Sequence, residues 1–108
     1  MEFTSLGKIG VPTPGTPVPL TADASIRAAC IIVCQIGGTT GRVLFGKAGL
    51  NKTSLAGAIR TFLPAGASGL LDHIEIHSHG AGNRLQPSEF VIDADTAGEG
   101  VLVSYGTA

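Results

Sequence analysis

The residues best suited to chemistry stand at alternate positions in the stretch LDHIEIHSHG: His73, Glu75, His77 and His79. In an unbroken β-strand, side chains alternate between two faces, so these four share one face while Ile74 and Ile76 point the other way. Imidazoles beside a carboxylate can hold zinc or another borderline metal. Imidazoles alone change charge near neutral pH and can make a contact pH-sensitive. The plainer reading is the wet side of a half-buried strand, and it is the one we take. No bound metal and no cofactor are expected; the cluster marks the one place where a metal would be sought.

The H-x-H pair of His77 and His79 resembles the opening of the cupin metal motif. That motif expects a glutamate a few residues later and a second, distant histidine. Here the next glutamate is Glu89 and no histidine follows, so the pattern is not met. Asp93, Asp95 and Glu99, with Gly98 and Gly100, hold a fragment of a calcium loop but lack its alternating ligands. An Asp- and Gly-rich hairpin turn fits them better. Gly37-Gly38-Thr39-Thr40-Gly41 has no phosphate-loop lysine and no helix behind it. None of Ser54, Ser68, Ser78, Ser88 and Ser104 stands in a G-x-S-x-G elbow. No catalytic residue is therefore assigned, and the chain is not expected to be an enzyme.

The elements that would position these groups read as strands. The longest apolar run is IRAACIIVCQI, residues 26–36. Its even positions, including Cys30, Ile32 and Cys34, are apolar throughout. Its odd positions are apolar only in the middle. A strand of this kind is expected at the centre of a sheet, covered on both faces near its middle, by its own chain or by a neighbouring subunit. Cys30 and Cys34 are separated by roughly 13 Å along such a strand, too far for a disulfide between them. Two unpaired thiols suit a reducing compartment of synthesis.

After the glycine-rich turn, RVLFG reads as a short strand that closes a β-hairpin with the first. Residues 47–58 offer a loop with at most one helical turn, capped by Asn51. Further strands are expected over IRTFL (59–63), LLDHIEIHS (70–78), EFVIDA (89–94) and VLVSY (101–105), with a turn over 64–66. Near the start, Pro12, Pro14, Pro17 and Pro19 exclude a helix and a central strand, leaving an extended edge segment over 16–21. Residues 1–11 show no sustained period. They read as an arm, ordered when docked, whose removal leaves the fold intact. About seven short strands, separated by turn signals, predict an all-β antiparallel sandwich or jelly-roll-like barrel over 16–108. Residues 1–15 form a flexible or extended arm before it.

The chain of 108 residues is the length of one domain. It is 44% hydrophobic but only 14% charged, with 16 glycines and a net charge of −1. Ordinary domains carry about 25% charged residues, so this surface is unusually neutral and poorly protected against association. With no basic block, binding to nucleic acid or to an anionic membrane is not expected. No apolar run reaches the length of a membrane span, and no secretory signal is expected at the N-terminus.

The order of features resembles small head-decoration, or cementing, proteins of tailed bacteriophages. The resemblance rests on Gly15-Thr16-Pro17-Val18-Pro19-Leu20, then Gly41-Arg42-Val43-Leu44-Phe45-Gly46. It continues through Leu63-Pro64-Ala65-Gly66-Ala67-Ser68, Phe90-Val91-Ile92-Asp93-Ala94-Asp95 and Gly98-Glu99-Gly100-Val101. It covers most of the chain from about Thr13 onward, and its motifs are turns and strands, not reactive groups. It implies a sandwich or jelly-roll module that forms dimers or trimers and binds the major capsid protein on the outer surface of the virion, after synthesis in the host cytoplasm. The Pro-rich segment, Pro12, Pro14, Pro17 and Pro19, is the expected partner-binding stretch. Two other roles use the same features: a neck, tail or fibre-base module of the virion, and a small metal- or sugar-binding β-barrel.

Overall fold

A computed structural model describes residues 2–64, 71–80 and 82–108. Two four-stranded antiparallel sheets lie face to face as a β-sandwich. The first holds, in spatial order, β1 (Glu2–Gly10), β8 (Gly100–Thr107), β3 (Cys30–Gln35) and β6 (His73–His77). The second holds β2 (Val18–Pro19), β7 (Phe90–Ala94), β4 (Val43–Lys47) and β5 (Ala58–Phe62). A 3-10 turn, Pro87–Glu89, precedes β7.

Alternation along each strand builds the core. Ile31 and Val33 of β3 and Val101 and Val103 of β8 are buried with Val43 and Phe45 of β4 and Phe90 and Ile92 of β7 in one cluster. The rings of Phe45 and Phe90 stack with centroids 5.6 Å apart. Burying a side chain of this size stabilises by roughly 1.5–3 kcal/mol, so this layer is the main source of stability.

The apolar strand is indeed interior, flanked by β8 and β6, but it is shorter than expected and begins at Cys30. Its odd face is the core face. Its uniformly apolar even face points out of the sandwich. The strand buried on both faces is β4 instead, whose first four residues are all buried. The expected hairpin between these two strands does not form: β3 belongs to the first sheet and β4 to the second, so the turn over 37–41 crosses between sheets. The Asp- and Gly-rich turn over 95–99 likewise joins β7 to β8 across the sandwich. Turn chemistry marks where the chain reverses but not which sheet it re-enters. Among the described residues only β4 and β5 are consecutive strands paired with each other, through the longer loop 48–57. Of the region expected as a strand over 70–78 and the turn over 64–66, residues 65–70 lie outside the described residues.

The N-terminal stretch is not a free arm. Glu2–Gly10 is an edge strand paired with β8 from Glu2↔Thr107 to Gly10↔Gly100. A bulge between Ser5 and Gly7 explains why no period shows in the sequence. It flips the alternation in mid-strand, so Thr4 and Ile9 face inward on either side of it although their numbers differ in parity. Leu6 and Ile9 pack on the core. Removing residues 1–11 therefore strips an edge strand, contrary to the expectation from sequence. Close approach at its far end requires glycine: a Cβ on Gly100 would overlap the Ile9 carbonyl oxygen.

Candidate functional site

The outer side of the first sheet gathers most of the residues singled out by sequence. Pairing of β6 with β3 sets Cys30 beside His77, Ile32 beside Glu75 and Cys34 beside His73. Pairing of β8 and β1 extends these three rows, in the same order, by Gly106, Ser104 and Leu102 and then by Phe3, Ser5 and Lys8. His73, Glu75 and His77 thus share one exposed face, as their spacing predicts. His79 lies past the strand end in a bend and does not join them.

Within this row the histidine and carboxylate are loosely placed. His77 Nε2 stands 3.8 Å from Glu75 Oε2 and 3.9 Å from Cys30 Sγ. Burial, and then the charge of Glu75, push the Cys30 thiol up from its ordinary value, which disfavours a thiolate. Among the described residues no three His, Cys, Asp or Glu side chains converge on a point where a metal would sit. Both cysteines are free; Cys30 is buried and Cys34 half-buried. What the face presents is an apolar centre of Ile32, Cys34 and Leu102 between two polar rims. Leu102 is 47% exposed and Phe3 58%.

The prolines sit elsewhere. Pro12, Pro14 and Pro17 lie in the connection from β1 to β2 and Pro19 within β2, at the opposite edge of the sandwich from β6. Thr13-Pro14-Gly15-Thr16 is a turn closed by Thr16 N–H to Thr13 O at 3.0 Å, with Gly15 at φ 91°. Proline followed by a positive-φ glycine is what a type II turn needs. The Gly15 N–H donates to Asp93 Oδ1 at 3.0 Å, and Asp93 is buried. Pro12 and Pro19 are exposed, Pro14 and Pro17 partly so. The structure does not bring these prolines together with the histidine row.

The three acids that suggested a calcium loop divide among three tasks. Asp93 anchors the proline turn. Asp95 accepts from Arg42 Nε at 2.7 Å and pairs with Lys52 Nζ at 3.3 Å. Glu99 accepts from the backbone N–H groups of Thr40 at 2.8 Å and Gly41 at 3.0 Å. The Arg42 hydrogen bond holds the Asp95 carboxyl below its ordinary range. The Thr40 backbone donor does the same for Glu99. Glu99 thus fixes the glycine-rich turn over 37–41, whose sequence lacks the lysine and helix of a phosphate loop.

The second sheet hides its outer side. Loop 48–57, in which Asn51 Oδ1 caps a turn by accepting from Thr53 and Ser54, folds back over it. Arg42 Nη2 donates to the Lys52 carbonyl at 3.2 Å. Leu44 and Asp93, on the outward face of their strands, are consequently buried, as is Leu50 of the loop. A cleft of about 230 Å³ remains between Gly15, Asp93 and residues 50–53, and one of about 140 Å³ lies beside Lys8, residues 36–39 and Glu99.

Sequence reasoning missed Lys8, Phe3 and Leu102 as members of a surface. Leu102 was legible from the parity of VLVSY; Lys8 and Phe3 were hidden by the bulge. Comparison with known proteins yields no match to any family model, curated protein or solved structure.

Proposed function

We propose that this is a non-enzymatic structural protein that cements a virus-like shell, binding the outer capsid surface across joints between major-capsid subunits. The observation that carries this reading is the outer side of the first sheet, where Ile32 and Cys34 stay half-buried and Leu102 exposed, with no described residue laid over them as loop 48–57 is laid over the second sheet. The low charge of the whole chain supports it, because a neutral surface loses little solvation when it docks. The resemblance in sequence to head-decoration proteins supports it independently. We further read the strand orders β1-β8-β3-β6 and β2-β7-β4-β5, with nearly every connection crossing between sheets, as a jelly roll of two Greek keys. That fold serves capsid and lectin domains alike, so it argues for the class of molecule by analogy and not for the partner.

Cementing needs area and many simultaneous contacts. Subunits in a shell hold their positions, so each contact after the first forms at high effective concentration. The proline turn is pre-ordered by its ring closures and by Asp93, which lowers the entropy lost on docking. Pro12 and Pro19 remain accessible there, and we retain Pro12, Pro14, Pro17 and Pro19 as a partner-binding stretch within this proposal. Occupancy of purified, undecorated phage shells by added protein tests the reading. Saturable binding that raises the temperature at which shells open is expected. Shells that bind no protein and open at an unchanged temperature would refute it.

A further inference from the structure

Asp93 is a carboxylate with one oxygen engaged and one to spare. It stands on the outward side of β7, across from Leu44 of β4, and is only 1% exposed. Its Oδ1 accepts from the Gly15 amide at 3.0 Å and from the Ala94 amide at 2.8 Å. Its Oδ2 takes no hydrogen bond from any described residue. A carboxylate oxygen sealed away without a donor is costly. Among the described residues no sealed side-chain oxygen or nitrogen lacks a partner. Oδ2 is therefore open, and what it opens into is the cleft of about 230 Å³ between the proline turn and loop 48–57. Asp93 lines that cleft together with Gly15, Leu50, Asn51, Lys52 and Thr53.

The rest of the lining selects the ligand. Asn51 uses its Oδ1 to accept from the Thr53 and Ser54 amides, which leaves its Nδ2 as a donor; the Thr53 hydroxyl has no partner in the chain. The Lys52 ammonium pairs with Asp95 at 3.3 Å and has further N–H groups to give. The cleft thus holds one buried acceptor, several donors and one charge of each sign. A cation drawn to Asp93 meets Lys52, and an anion drawn to Lys52 meets Asp93. A neutral ligand that donates and accepts at neighbouring atoms meets neither penalty. The hydroxyls of a sugar ring do this: one donates to Oδ2 while others accept from Asn51, Thr53 or Lys52, and the C–H face suits Leu50. At roughly 30 Å³ per water the cleft has the room of about seven or eight waters, enough for one ring.

We propose that this cleft is a binding site for a single neutral sugar residue, held through its hydroxyls by Asp93 Oδ2. The site is pre-formed. Two amides fix the carboxylate, the Asn51 cap shapes the wall, and Arg42 Nη2 holds the Lys52 carbonyl at 3.2 Å, so little order is lost on binding. The cleft lies over the second sheet, on the far side of the sandwich from the outer side of the first, and its reading stands without the cementing role.

Amide NMR of the full chain, titrated in turn with free glucose, galactose, mannose and N-acetylglucosamine to about 100 mM, tests it. At least one sugar is expected to shift the amides of Gly15, Ala94 and residues 50–53, saturating with a Kd of about 1–10 mM. Asp93→Asn keeps an oxygen for Gly15 and Ala94 but sets a donor where Oδ2 stood, and is expected to weaken binding about tenfold or more. Thr53→Val, at an exposed position, removes only the hydroxyl and is expected to weaken it about threefold to tenfold. Amide spectra away from the cleft check that each variant is folded; if Asp93→Asn is not, Thr53→Val decides alone. The absence of shifts with all of these sugars overturns the proposal. So do shifts scattered outside the cleft, or a sugar affinity that folded variants leave unchanged. Calcium or methylammonium moving the same amides where no sugar does also overturns it, in favour of a cation site.

Discussion

Leu44 and Ile32 occupy equivalent places in the two sheets, each on an interior strand with its side chain pointing away from the core. Leu44 is wholly buried; Ile32 is only half-buried. The difference lies in what crosses over them. Loop 48–57 returns along the second sheet, tied down by Arg42 and by the pairing of Lys52 with Asp95. No described loop is tied across the middle of the first sheet in this way, and only its Cys30 end is buried. An apolar strand face is therefore not evidence of core until its cover is known. Here one such face is internal structure and the other is half-exposed surface.

The sharpest way to break this comparison is to put a charge at both sites. Leu44→Lys buries an unpaired ammonium beneath the loop and is expected to cost more than about 4 kcal/mol, enough to abolish cooperative folding. Ile32→Lys is expected to cost only about 1 kcal/mol, because its charged end reaches water. Urea unfolding of the two variants measures both, and equal losses would show the two faces to be alike. Next in size is Asp93→Ala, which leaves the Gly15 and Ala94 amides without their acceptor. A loss of about 1–3 kcal/mol is expected. Asp93→Asn keeps an oxygen there and should lose less.

Acid acts on the two faces unequally, because Asp95 and Arg42 hold the cover of the second sheet. Asp95 is held below its ordinary range chiefly by the Arg42 hydrogen bond, Asp72 by that of Arg60, and Glu99 by the Thr40 amide. A depressed folded value means that the unfolded chain binds the proton more tightly. The stabilisation is complete above the ordinary carboxyl value near about 4 and fades as pH falls through the folded values. The melting temperature should be level from about pH 8 to 5 and decline below about 4. Arg42→Ala should flatten part of that decline and loosen the cover over Leu44, whereas the first sheet's face should be unaffected. Amide hydrogen exchange in loop 48–57 reads the loosening. The pairs are half-exposed, so the change is modest. Smallest is Leu102→Ser, expected to shift stability by less than about 0.5 kcal/mol in urea unfolding, because the side chain is exposed.

Much of the fold was legible because strand period and turn residues are local. The parity of residues 30–35 and 73–77 placed Cys30, Ile32 and Cys34 on one side of β3, and His73, Glu75 and His77 on one side of β6. Their meeting on one face depended on sheet order, which no local signal carries. Gly37-Gly38-Thr39-Thr40-Gly41 announced a reversal, but the same residues serve a hairpin or a crossing between sheets. Glu99 selects the crossing by holding Thr40 and Gly41 from a strand end 58 or 59 positions away. The bulge at Ser5 and Gly7 concealed β1 altogether, since one inserted residue makes an amphipathic strand look aperiodic.

What the amino-acid order determined alone is the all-β character, the low charge, the separation of Cys30 from Cys34 and the positions of nearly every turn. Each follows from the conformational preference or the spacing of neighbouring residues. Which apolar face lies inside was settled only in three dimensions, because burial belongs to pairs of surfaces and not to a strand. The sandwich had room to enclose one side of each sheet and loop 48–57 was long enough to cover one more, whereas the outer side of the first sheet, with Lys8 and Glu75 at its edges, stays half-exposed at Ile32 and Cys34.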